Sequence, residues 1–218
     1  MTATAVTRIC CSDARPGWPA SWPFVAGLVV VTGAVLGIGT QVLQGALPGG
    51  WGVLANSGVM WAFGAFALGH LLPTMRWAVV GGAIELVIAS WTYYLAVEWF
   101  EGIRSGPQGA VIWSAAGIVA GSVFGYAGQL AAARVHRRPI AWSLLAGTLA
   151  GEGVHLTWFV GNPALRRGGV AELILGAALS VWCLVTASRR TWPGVVTVAA
   201  ALSVLAAGRV IDGAFANW

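Results

Sequence analysis

With 218 residues, 58% of them hydrophobic and only 9% charged, the chain lies far from a soluble domain, in which roughly a quarter of residues carry charge. Its net charge of +5 comes from twelve arginines and no lysine, mostly in short stretches between apolar runs, which reports membrane topology and excludes a nucleic-acid surface. Cys10, Cys11 and Cys183 form neither a CxxC pair nor a ligand spacing, so no metal and no cofactor is expected.

Residues 1–21 hold Arg8, Asp13, Arg15 and several prolines without an apolar core, and read as a cytoplasmic N-terminal segment rather than a signal peptide. Residues 22–218 read as one all-α, polytopic transmembrane helical bundle of about seven helices, over 22–46, 51–72, 77–97, 109–133, 139–160, 169–187 and 192–212. The loops are short, so successive helices are expected to run antiparallel. The N-terminal segment and the second, fourth and sixth loops carry eight arginines against four elsewhere. That bias predicts a cell-membrane protein with a cytoplasmic N-terminus and an external C-terminus, against which Arg166 and Arg167 stand.

Glycines recur every fourth residue at Gly33 and Gly37, at Gly117, Gly121 and Gly125, and at Gly147 and Gly151. Such spacing marks faces where helices approach closely, within the chain or in a helix-mediated oligomer. Of thirteen tryptophans, those near predicted ends suit an interfacial belt, whereas Trp61, Trp91 and Trp158 fall inside spans and are candidates for lining a cavity or for packing.

The polar groups are fewer and more informative. In the fifth segment, AGEGVHLTW places Glu152 and His155 three residues apart, on one helix face. A carboxylate at membrane depth costs roughly 2.5–3.5 kcal/mol on insertion scales, so it is kept for a partner, a proton or a use. With the predicted orientation, Asn56 in the second segment, Tyr93 and Tyr94 in the third, Glu152 in the fifth and Asp212 in the seventh all fall in the outer half, with Glu85 deeper. Glu98, Glu101 and Glu172 fall near segment ends and read as solvated charges. Convergence of the first group would form an acidic, Trp-rich pocket for a hydrophobic small molecule within the lipid bilayer. Glu152 is then the candidate general acid, Glu85 a second acid and His155 a partner that tunes or reloads the proton. Asn56, Trp61, Trp91, Tyr93, Tyr94, Trp158 and Asp212 would contact the substrate. The competing use for each acid is a helix–helix bond.

The stretch LQGALPGGWGVLANSGVMWAFGAFALGHL, the YY of the third segment, WSAAGIVAGSVFGYAG of the fourth and LAGTLAGEGVHL of the fifth resemble an actinobacterial family of small multipass membrane proteins classed as a domain of unknown function. The resemblance covers roughly residues 37–156 and implies a fold and an actinobacterial setting, but no activity. In size, helix count, buried carboxylates and abundant tryptophan the chain is also similar to the integral membrane terpene cyclases of fungal meroterpenoid and bacterial indole-sesquiterpenoid pathways. No motif aligns with these, and no residue is carried over. The analogy implies acid-catalysed cyclisation of an isoprenoid. The alternatives are a substrate-binding or transport component, in which the acids move protons or bind a cation, and a structural or assembly subunit.

Overall fold

A computed structural model describes residues 21–104, 106–187 and 191–216, excluding the side chains of 191, 211, 212 and 214–216. The N-terminal segment up to residue 20, Cys10 and Cys11 included, therefore lies outside the described residues, as do Arg189, Arg190 and the side chain of Asp212. Among the described residues the chain is helical, with no strand. The helices are α1 (Trp22–Ala46), α2 (Gly52–Ala55), α3 (Gly58–Leu71), α4 (Met75–Glu101), α5 (Pro107–Ala133), α6 (Arg138–Val154), α7 (Arg166–Thr186) and α8 (Thr191–Ala216).

Their ends follow from local chemistry. Proline stands in the first turn of α1, α5 and α6, where its missing N–H is not needed. The Thr74 hydroxyl caps α4 by accepting from Trp77 N at 3.3 Å. At the far end of α4, Gly102 stops the helix in the left-handed region, with φ 68°.

Among the described residues six spans are long and apolar enough to cross a bilayer, with α2 and α3 counting together as one, and the chain is a multipass membrane protein. The remaining predicted helix, the fifth, is α6, whose 17 α-helical residues are extended by a π turn, His155–Phe159, to a length of roughly 30 Å. The second predicted span departs from expectation. It is not continuous: α2 closes at Asn56, whose N–H reaches Val53 O at 3.1 Å, and the extended backbone of Ser57 starts a new helix.

Helix α4 packs between α1 and α5, α3 lies against α5, and α6 packs between α7 and α8. The core sits where these groups join, with Phe66 of α3, Leu86 of α4, Phe124 of α5 and Leu145 of α6 buried together. Trp142 is part of this junction, its ring 4.8 Å from that of Phe66 and 6.3 Å from that of Trp182.

The glycine ladders set the closest approaches, and each is occupied by a helix of the same chain. A Cβ on Gly33 would lie 2.8 Å from Glu85 O of α4, and one on Gly151 would lie 2.6 Å from Ala201 O of α8. On α5, Gly121 and Gly125 press against the carbonyls of Gly82 and Ala78 of α4. Approach at this distance exchanges side-chain bulk for backbone contact, the main source of helix adhesion where both helix and lipid are apolar.

Candidate functional site

The first turn of α3 starts inside the second span, where its leading amide N–H groups have no intrahelical acceptor. Glu152, on the last turn of α6, closes this end. Its Oε1 accepts from Gly58 N at 2.7 Å and its Oε2 from Val59 N at 3.0 Å. The Ser57 hydroxyl accepts from Met60 N at 3.3 Å, and Ser57 O accepts from Trp61 N at 3.4 Å. Each of the four amides therefore has an acceptor, and the carboxylate faces the positive end of the helix dipole. Glycine at position 58 gives the acid room, since a Cβ there would lie 3.3 Å from Glu152 Oε2.

A second acid completes the cluster. Glu172 of α7 is 1% exposed, which corrects its reading as a solvated charge: the helix begins at Arg166, and six residues carry Glu172 inward to Ser57, at the join of α2 and α3. Neither of its carboxyl oxygens has a hydrogen-bond partner among the described residues. It stands beside the Ser57 side chain and within electrostatic range of Glu152. Gly153 and Gly169 let α6 and α7 meet closely here, a Cβ on Gly153 falling 2.7 Å from Gly169 O. The Thr157 hydroxyl, in the π turn, is also buried without a partner among the described residues, and a Cβ on Gly169 would lie 2.6 Å from it. Side chains on a helix lean toward its N-terminus, so Glu172 lies over the Gly168–Gly169 turn that Thr157 meets.

A polar seam continues from the break. Asn56 Nδ2 donates to Tyr93 Oη at 3.3 Å, and that hydroxyl donates to Gln44 Oε1 at 3.0 Å. One turn back on α1, Gln41 donates to Glu101. Trp61 and Tyr94 each stand edge-on to the Tyr93 ring, with centroids 6.0 and 5.3 Å away.

Residues 17–215 match the model of a family of unknown function, DUF6518. The chain belongs to the DUF6518 family. The match extends well beyond the stretch of roughly 37–156 that carried the resemblance and takes in every described span. No protein of curated function and no solved structure matches this DUF6518 chain.

The remaining candidates are dispersed over this DUF6518 bundle. Glu85 is 1% exposed but lies about 12 Å back along α4 from Tyr93, where it neighbours Thr32 of α1. His155 packs against Gly208 of α8 and stacks on Phe159 with centroids 6.4 Å apart, so Glu152 and His155 serve different neighbouring helices. Trp91 and Trp158 are 43% and 61% exposed, on the outer surface. Concavities among the described residues include one of about 580 Å³ beside Trp51 and Arg166 and one of about 260 Å³ beside Phe159 and Arg209, both open to the surface. Neither is lined by Glu85, Glu152 or Glu172.

Ser57 stood beside Asn56 among the outer-half polar groups of the second segment, whereas sequence reasoning missed the burial of Glu172, and with it Thr157 and the pair Gln41 and Gln44. Two signals were available: the adjacent Gly168 and Gly169 just before Glu172, which mark a close approach, and the three-residue spacing of the two glutamines in an apolar helix.

Proposed function

We propose that the working site of this membrane protein is the pair Glu152 and Glu172 at the break in the second span, and that it binds and releases a proton coupled to movement of a solute. The observation that carries the reading is Glu172, a buried carboxyl with both oxygens unpartnered among the described residues, next to a carboxylate already held by two amides. Two carboxyls in electrostatic contact suit one proton between them. Breaks in spanning helices are also where carriers bring helix ends to an ion or substrate. In this division of labour Glu152 is the fixed charge and Glu172 the group that takes and gives up the proton. Infrared difference spectra of the purified protein over a pH titration test it. In a Glu85→Gln background, which removes the other buried carboxyl in the apolar interior, a carboxylic-acid carbonyl band is expected, and its absence when Glu172→Gln is added. An unchanged band in the double variant removes the pair from consideration.

The edge-to-face group of Trp61, Tyr93 and Tyr94 favours a second reading, acid-catalysed cyclisation of an isoprenoid, because aromatic faces stabilise developing cations. Since both Glu152 oxygens accept amide hydrogen bonds, Glu172 would be the proton donor in that chemistry. Incubation with unmodified and epoxidised prenyl substrates, followed by product analysis, separates the two readings: a cyclic product lost in Glu172→Gln supports the enzyme, and untouched substrate supports the carrier.

A further inference from the structure

The concavity of about 580 Å³ at the start of α7 is lined by Trp51, Pro163, Arg166, Arg167 and Val170. Arg166 and Arg167 are both exposed, and among the described residues neither is paired with a carboxylate. They are also two of the four arginines that oppose the charge bias of the loops, and the pair that stands adjacent, so topology gives no reason for them. A planar guanidinium offers paired N–H donors matched to phosphate oxygens, and two adjacent ones match a single anionic group. The rest of the lining is apolar. From Val170 an exposed apolar stripe runs down the same face of α7 through Ile174, Val181 and Val185, at helical spacing. A charged recess that opens into an apolar track fits a molecule with an anionic head and a hydrocarbon tail.

We propose that this recess binds the phosphate of an anionic phospholipid, held by Arg166 and Arg167 under the Trp51 indole, with an acyl chain along the α7 stripe. The lipid supplies a counter-charge that no carboxylate among the described residues gives the two arginines. Occupancy is independent of the acid pair, which lies inside the bundle.

Native mass spectrometry of the full chain in detergent tests the site, with phosphatidylglycerol, phosphatidylcholine of the same acyl length and inorganic phosphate as separate probes. Phosphatidylglycerol should bind the wild type in preference to phosphatidylcholine, and Arg166→Gln/Arg167→Gln should weaken it about tenfold or more, as expected for losing charge-assisted hydrogen bonds. Arg166→Lys/Arg167→Lys should recover part of the loss, since it restores charge without the fork. Arg209→Gln, at the other concavity, should leave binding unchanged. The thermal midpoint of the Gln variant without added lipid checks that it is folded. Equal retention of phosphatidylglycerol by wild type and a folded Gln variant overturns the proposal, showing surrounding lipid only. Should the Gln variant not fold, the Lys variant and Arg209→Gln carry the comparison, and equal binding by the wild type and these two overturns the arginine fork. Inorganic phosphate bound as tightly as the lipid overturns the lipid assignment in favour of a soluble phosphate.

Discussion

Glu152 combines two roles that sequence alone cannot separate, an acid for chemistry and an acceptor for backbone amides. The contacts make it the latter first. Removing it strands the N–H groups of exposed Gly58 and buried Val59, and an unpaired donor with no water to meet it costs roughly 1–3 kcal/mol. Glu152→Ala should therefore lower stability by about 2–5 kcal/mol, read by denaturation in detergent, with Glu152→Gln milder at about 1–2 kcal/mol because the amide oxygen still accepts. Glu172→Gln should leave stability within about 1 kcal/mol, since no hydrogen bond of its carboxyl is lost among the described residues. Equal losses for Glu152→Ala and Glu172→Gln would contradict the assignment of cap and proton carrier.

Helix contacts make the glycine ladders the most sensitive elements. Gly121 presses on the Gly82 carbonyl, so Gly121→Val must push α4 and α5 apart and should cost about 2–4 kcal/mol or prevent folding. Gly27 on α1 has open space around it, so Gly27→Ala should be neutral or stabilising by up to about 1 kcal/mol through helix propensity. Thermal midpoints of the two variants in one detergent make the comparison, and similar losses would mean that the ladder is not a packing face. The apolar runs made the helices legible, because length and hydropathy alone fix what can span. The ladders were legible as faces but not as pairs, since a small-residue stripe does not encode which helix closes on it. The break at Asn56 and Ser57 was hidden for a related reason. Its backbone groups are satisfied by Glu152 from another helix, a compensation that no local pattern displays. Glu172 reads as solvated because depth counted from a segment end cannot see the break at Ser57 and the Glu152 carboxylate that it meets.

For the molecule as a whole, the alternation of spans places Gly102 and Arg137 at opposite ends of the bundle, and the arginine bias predicts that the Arg137 end is cytoplasmic. Cysteines introduced at these two positions should label from opposite sides in intact cells, Gly102→Cys from outside; labelling of both from one side would sink the topology. The cap on α3 also has a temporal side. Glu152 follows Gly58 by 94 residues, so on a ribosome adding roughly 5–20 residues per second the carboxylate is synthesised about 5–20 s after the amides it serves. For that interval the nascent second span carries an open helix end, and an insertase or the translocon wall must shelter it until the sixth helix emerges. Chains stalled before Glu152 are thus the forms most exposed to membrane quality-control proteases.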